Sequence, residues 1–249
     1  GLAYICPAMK NIPNYFTLLN LVLGCVAIIL IMQTGEGIVN YNGEVWNVYI
    51  PEKVWWGSVC IGLAALVDFL DGFVARLFKA ASPLGAQLDS LADVVSFGVA
   101  PGMILYQLLR ISHAYEPDGL DVAMAWLLPA LILPCAAAWR LAVFNLDPGQ
   151  AYGFKGMPTP ATGLLVASLP LILLHDRFGL QTLLLNKWFL YALILVLSWL
   201  MVSKLPLMSL KFRSYGFKEN MPKWVLAAIV VAAALLLGWL AVPVAFIAY

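Results

Sequence analysis

The chain has 249 residues, of which 63% are hydrophobic and 11% are charged. Soluble domains carry about 25% charged residues, so this composition excludes an ordinary soluble protein and indicates a helical membrane protein. The net charge of +1 gives no indication of nucleic-acid binding, and we expect no nucleic-acid partner. We interpret residues 1–249 as a single integral membrane domain that lies in a lipid bilayer.

Apolar segments long enough to cross a bilayer recur along the chain. A transmembrane helix needs about 20 apolar residues, which predicts about seven spans, with six to eight as the range. The predicted fold class is all-α, a polytopic bundle of transmembrane helices. The predicted spans are residues 14–33, 54–77, 86–111, 124–145, 160–175, 186–203 and 223–247.

The segments outside the first six spans lead to two further expectations. Residues 1–10 form an N-terminal segment, and one interpretation places the native start at Met9. Residues 219–249 are predicted to carry an extra C-terminal span. If the N-terminus is cytoplasmic, ten of the 14 Lys and Arg residues lie on the inner side. Because Lys and Arg concentrate in cytoplasmic loops, we expect this orientation, with the inner ends of spans two and three facing the cytoplasm.

Four aspartates lie near those inner ends: Asp68, Asp71, Asp89 and Asp93. A charge at the bilayer centre costs roughly 2.5–3.5 kcal/mol on insertion scales, so four carboxylates need a compensating charge. Residues three or four apart share a helix face, and the short 77–85 connection predicts a hairpin that brings both pairs to one height. An all-oxygen site of this kind suits Mg²⁺ or Mn²⁺, with Ca²⁺ possible, as one or two ions.

Such ions commonly serve phosphate chemistry, whereas intramembrane acids alone are also found in proton or cation pathways. Small residues beside the acids, Gly72, Ala75 and Gly85, would let a flat or bulky ligand approach the backbone. Small residues in membrane helices also serve helix packing. Arg76 is in reach of a phosphate or an acid, and an Arg at this position also acts as an inner-end anchor.

The residues from Asp68 to Asp93 resemble the signature of the CDP-alcohol phosphatidyltransferase family. The matching positions are Asp68-x-x-Asp71-Gly72-x-x-Ala75-Arg76, a gap of eight residues, and Gly85-x-x-x-Asp89-x-x-x-Asp93. The resemblance implies a homodimeric membrane enzyme with a divalent-metal site facing the cytoplasm. It also implies a role for each matching residue: Asp68, Asp71, Asp89 and Asp93 bind metal, Asp93 is the catalytic base, Gly72, Ala75 and Gly85 accommodate cytidine, and Arg76 meets the diphosphate.

Further segments resemble the bacterial and archaeal phosphatidylserine synthase branch of that family. This resemblance implies CDP-diacylglycerol and L-serine as substrates and a bacterial or archaeal cytoplasmic membrane as the location. The segments are Ile12-Pro13-Asn14, Thr17 to Gly24, Ser96 to Pro101, Arg140 to Asn145, Phe154 to Pro160, and Ser203 to Pro206.

Recognition of serine calls for a fixed cation for its carboxylate. Arg140 and Lys155, with Asn145 nearby, are the candidate acceptor-binding residues, although Arg140 could instead pair with a site acid or a lipid headgroup. Glycerol phosphate or inositol phosphate would use the same cations, so charge leaves the acceptor open. Asn14, Thr17 and Asn20 are candidates for the nucleotide pocket, with capping and packing as the alternative. A carboxylate-lined cation transporter is the alternative from a different functional class.

Overall fold

The computed structural model describes residues 12–33, 52–77, 82–114, 122–146, 156–176, 178–205 and 231–248. These residues are almost entirely helical, which confirms the all-α fold class. The helices, numbered in chain order, are α1 (Ile12–Met32), α2 (Glu52–Leu77), α3 (Pro83–Ala114), α4 (Leu128–Leu146), α5 (Thr159–His175), α6 (Gln181–Leu184), α7 (Lys187–Val202) and α8 (Val231–Ala248).

An apolar helix lies at each of the seven predicted spans. Helices α1, α2, α3, α4 and α8 are each long and apolar enough to cross a membrane. Helices α5 and α7 have 17 and 16 residues, which at 1.5 Å per residue is about 24–26 Å, slightly less than a hydrocarbon core of about 30 Å. Helix α8 is interrupted at Gly238, whose φ of 59° favours glycine.

Helix α3 occupies the centre of the bundle. In its most apolar window 67% of the residues are buried inside the protein, against 11–33% for the other four long helices. The fully buried side chains of its central part are Phe97, Ala100, Ile104, Leu105, Leu108 and Leu109. Because the other long helices expose large apolar side chains, their outer faces suit contact with lipid.

A π-helical turn interrupts α3 directly after Asp93. It covers Val94–Val99, and the N–H of Ala100 donates to the carbonyl of Val95 five residues earlier. Turns of this kind shift the side chains that follow them around the helix axis, and they are frequent at functional sites. The buried Ser96 consequently faces α1, where its Oγ donates a hydrogen bond to the backbone carbonyl of Asn20 at 3.0 Å.

Helix α1 connects the two halves of the predicted hairpin. It packs along α2 and also along the first turns of α3, whereas α2 and these turns of α3 pack little against each other. The Ser82 side chain begins α3 by accepting a hydrogen bond from the N–H of Gly85 at 3.0 Å, with Pro83 in the first turn. The space between α2 and the start of α3 is therefore available for a site.

Candidate metal centre and nucleotide cleft

Three of the predicted metal ligands converge between α2 and α3. Asp68, Asp71 and Asp89 each place one carboxylate oxygen within 4.8 Å of the other two. Oxygens on opposite sides of one ion lie up to about 4.2 Å apart for Mg²⁺ and about 5.2 Å for Ca²⁺. The three carboxylates therefore fit Ca²⁺ as they stand, and Mg²⁺ or Mn²⁺ after a movement of about half an ångström.

Asp93 lies beside this group, but it does not contribute any of the three convergent oxygens. Its side chain is 7% exposed, and it neighbours Asp68 across the space between the helices. Its Oδ1 accepts a hydrogen bond from Asn20 Nδ2 at 3.3 Å. A ligand role for Asp93 remains a prediction.

Helix α1 donates hydrogen bonds to acids of both α2 and α3. Thr17 Oγ1 donates to Asp71 Oδ2 at 2.9 Å and also lies 3.2 Å from the carbonyl of Pro13. Sequence reasoning placed Thr17 and Asn20 on one face of α1, with a nucleotide pocket as one of two interpretations. The structure adds that each of them contacts an aspartate, a detail that depends on how α1 is rotated against α2 and α3.

A cleft of about 190 Å³ opens beside the three carboxylates. Pockets that enclose drug-sized ligands measure roughly 300–1,000 Å³, so this cleft has room for only part of a nucleotide lipid. Five of the seven predicted nucleotide residues line it, together with two of the acids; the lining includes Asn14, Thr17, Gly72, Ala75, Gly85, Asp71 and Asp89. Of the other two, Arg76 is exposed and its Nε donates to the carbonyl of Gly72 at 2.8 Å, whereas Asn20 donates to Asp93.

The two glycines of the cleft serve different purposes. A Cβ added at Gly85 would lie 3.0 Å from Asn14 Oδ1 and 3.1 Å from Ser82 Oγ, so this glycine permits the close approach of α1 and α3. Outside its own helix backbone, a Cβ added at Gly72 would meet no atom of the described residues nearer than Arg76 Nη2 at 4.0 Å. Packing within the protein therefore leaves the space beside Gly72 open.

Arg140 approaches the aspartates from α4. Its Nη1 donates to the buried Thr159 Oγ1 at 3.2 Å, and its Cζ lies 5.9 Å from the centre of the Phe144 ring. The guanidinium is near enough to Asp93 for the two charges to interact. Thr159 belongs to the Phe154 to Pro160 segment noted in the sequence, but no role had been predicted for it.

The other two acceptor candidates are placed differently. Asn145, at the exposed end of α4, donates from Nδ2 to Ser90 Oγ at 2.8 Å and so ties α4 to the residue after Asp89. Ser90 was missed by the sequence analysis, because a serine on a helix carries no signal for such a contact. Lys155 lies outside the described residues, so its acceptor role stays a prediction.

Unpartnered polar atoms collect around the acids. Among the described residues, four buried side-chain polar atoms lack a hydrogen-bond partner, and three of them belong to this region: Asn20 Oδ1, Asp89 Oδ1 and Arg140 Nε. Buried polar atoms are almost always satisfied by protein, water or an ion. An unpaired carboxylate oxygen among three convergent acids therefore fits a bound cation.

A sequence model of CDP-alcohol phosphatidyltransferases matches residues 10–202, which is most of the chain and includes the four aspartates. The chain belongs to the CDP-alcohol phosphatidyltransferase family. Enzymes of this family depend on a divalent metal, and the aspartate cluster is the group of described residues that could hold one.

Curated relatives of this chain carry the name CDP-diacylglycerol–serine O-phosphatidyltransferase. The protein of Mycobacterium tuberculosis H37Rv is 36% identical over 198 residues, covering 76% of this chain and 64% of the relative. That of Mycobacterium leprae is 38% identical over 154 residues, covering 59% and 47%. That of Bacillus subtilis is 33% identical over 164 residues, covering 56% and 88%. The chain thus spans about half to two thirds of the length of the mycobacterial relatives.

Proposed function

We propose that this phosphatidyltransferase transfers the phosphatidyl group of CDP-diacylglycerol to the hydroxyl of L-serine, giving phosphatidylserine and CMP. The observation that carries the proposal is the meeting of three carboxylate oxygens within 4.8 Å at the edge of the cleft. Family membership supports the donor, and the names of the relatives support the acceptor. A transporter would have no need of a cleft with the family's nucleotide residues beside its acids.

Each group of residues has a distinct task in this proposal. Asp68, Asp71 and Asp89 hold Mg²⁺ or Mn²⁺, which when bound supplies positive charge for the diphosphate and for the departing CMP. Asp93 takes the proton of the serine hydroxyl. The hydroxyl oxygen bonds to the lipid-side phosphorus, and the bond from that phosphorus to the CMP oxygen breaks with its electron pair leaving on CMP. Whether one or two ions bind is tested by metal titration.

The cleft beside the metal ligands receives the cytidine end of the donor. It is too small for the whole lipid, so the acyl chains extend outside it, along the exposed apolar faces of the neighbouring helices. Arg76, whose Nε donates to the carbonyl of Gly72, lies at the edge of the cleft, within reach of the diphosphate.

Gly72→Ala should raise the KM for CDP-diacylglycerol by about tenfold or more, because the added methyl would occupy space that the donor needs. The fold should be unaffected, since among the described residues no atom beyond the adjoining helix backbone lies closer than 4.0 Å to the added Cβ. The measurement is steady-state release of CMP at varied donor concentration, with the unfolding temperature followed in parallel.

Gly62→Ala is the matched control for that change. Gly62 lies on the same helix, and outside that helix's backbone an added Cβ there meets no described atom within 4 Å. It is ten residues from Gly72, about 15 Å along the helix and away from the cleft. A normal KM in both variants would contradict a donor site beside Gly72.

The acceptor is held by Arg140 in this proposal, with Asn145 and Lys155 as its neighbours. Arg140 has an unpaired Nε–H among the described residues, and it lies near Asp93, so it can bind a carboxylate while the hydroxyl meets the base. Arg140→Ala should raise the KM for serine about 10- to 100-fold and leave that for CDP-diacylglycerol within about twofold, because a charged hydrogen bond contributes about 1.5–3 kcal/mol. Kinetics with each substrate varied in turn measure both constants.

Arg110→Ala provides the control for a lost positive charge. Arg110 is an exposed residue of α3, about 20 residues beyond the acids and far from them along the helix. An equal rise of both KM values in Arg140→Ala would show that Arg140 does not select the acceptor.

An acceptor screen tests the function itself. The purified chain is given CDP-diacylglycerol, Mn²⁺ or Mg²⁺ and one of serine, glycerol phosphate or inositol phosphate, and lipid products are separated. The expected result is phosphatidylserine and CMP with serine alone. A different lipid product would assign another acceptor, and cation flux without CMP release would favour the transporter. The cytoplasmic orientation and the homodimer are further proposals, tested by cysteine labelling of the loops and by the mass of the detergent-free particle.

A further inference from the structure

One face of α1 contacts acids from two other helices. Thr17 donates to Asp71 of α2, and Asn20 donates to Asp93 of α3, at 2.9 Å and 3.3 Å. Residues three apart lie on the same side of a helix, so a single rigid element sets both positions. Because α2 and the start of α3 pack little against each other, α1 decides their spacing.

Asn20 is itself held firmly. It is fully buried, and its backbone carbonyl accepts the hydrogen bond from Ser96 Oγ at 3.0 Å. A Cβ added at Gly24, one turn further on, would overlap the Ser96 side chain, so α1 and the π-helical turn are in the closest contact that their backbones allow. Contacts at Asn20 and one turn further on, at Gly24, therefore fix the position of the Asn20 amide beside Asp93.

The unpaired Oδ1 of Asn20 argues against a purely structural role. A leucine has the same branched skeleton of four side-chain heavy atoms and would leave no buried acceptor unsatisfied. The side chain is explained by its N–H, which reaches Asp93 Oδ1 and leaves Oδ2 for a proton.

We infer that Asn20 is a positioning residue for Asp93, and that Thr17 performs the separate task of orienting the metal ligand Asp71. The inference rests on the proposed function, in which Asp93 is the base and Asp71 a ligand. Two residues of α1 then have different effects: Asn20 acts on the rate of transfer, and Thr17 acts on metal affinity.

Asn20→Leu should lower kcat about 10- to 100-fold, the loss expected for one hydrogen bond to a charged group, with both KM values within about threefold. Mn²⁺ binding, measured by electron paramagnetic resonance on the full chain without substrate, should be unchanged. Thr17→Val should show the reverse pattern: Mn²⁺ binding weakened several-fold and activity restored at high Mn²⁺. If Asn20→Leu does not fold, Asn20→Ser, whose hydroxyl is too short to reach Asp93, takes its place.

Gln107→Leu is the matched control, because Gln107 is a buried amide that ties α3 to α1 through the carbonyl of Ile31 at 3.1 Å. It should lower the unfolding temperature and leave kcat unchanged. If Asn20→Leu behaves like this control, or if added Mn²⁺ rescues it, the inference is overturned. If the unaltered chain releases no CMP with any acceptor, the proposed function is what fails, and with it the rate role of Asn20.

Discussion

Asp93→Asn should lower phosphatidyl transfer about 10²- to 10⁴-fold, the contribution that a positioned general base makes. An amide cannot take the proton of the acceptor hydroxyl, although it fills the same space. Because Asp93 is not among the three convergent oxygens, binding of Mn²⁺ and of CDP-diacylglycerol should remain measurable. The experiment is single-turnover release of CMP, with metal and donor binding determined on the same preparation.

Asp176→Asn is the control for this prediction. Asp176 follows α5, where its Oδ1 accepts a hydrogen bond from the N–H of Leu180 at 2.7 Å, and sequence analysis gave it no part in the site. Its variant should transfer at the normal rate. Turnover near normal in Asp93→Asn would exclude a base role, and loss of Mn²⁺ binding in that variant would make Asp93 a ligand instead.

Asp89→Asn should abolish metal binding and transfer together, and it should stabilise the protein when no divalent ion is present. Two like charges 4.8 Å apart repel by about 3.5 kcal/mol at an effective dielectric of 20, an upper limit that protonation relieves in part. Removing one of three such charges therefore raises the unfolding temperature in EDTA by several degrees, since about 1 kcal/mol corresponds to 2–4 °C in a protein of this size.

Bound Mn²⁺ should make the unaltered chain more stable than Asp89→Asn, the reverse of the order expected in EDTA. Excess Mn²⁺ should stabilise the unaltered chain through binding to the folded state, whereas Asp89→Asn should show no such gain. Thermal unfolding of both proteins in EDTA and in Mn²⁺ gives the four values needed. A variant that is less stable in EDTA and still responds to Mn²⁺ would show that Asp89 is an ordinary structural residue.

The membrane helices and the acid cluster were predictable because each depends on a local signal. Hydropathy alone located an apolar helix at all seven predicted spans, since a segment that crosses lipid must be apolar over its whole length. The spacing of Asp68 and Asp71 places both on one face of α2, and the short connection to α3 brings Asp89 to the same level. The same spacing and connection bring Gly72, Ala75 and Gly85 to one cleft beside the acids.

The contacts of α1 were beyond reach of such reasoning. A helix pattern shows which residues share a face, but not which neighbour that face meets. Thr17 and Asn20 were therefore left between a pocket role and a packing role, and nothing in the chain order indicated that they contact Asp71 and Asp93. Asn145 was taken as an acceptor residue on its proximity to Arg140, and its amide contacts Ser90.

The sequence by itself predicts a cation site, because buried carboxylates at helical spacing can be tolerated in lipid when a cation neutralises them. Which of those carboxylates converge on a metal and which has another role depends on the folded bundle. The π-helical turn after Asp93, the closeness of α1 to Ser96 and the bond from Asn20 depend on the rotation and axial offset of packed helices. Those quantities arise from the sum of many side-chain contacts, and no single segment of the chain encodes them.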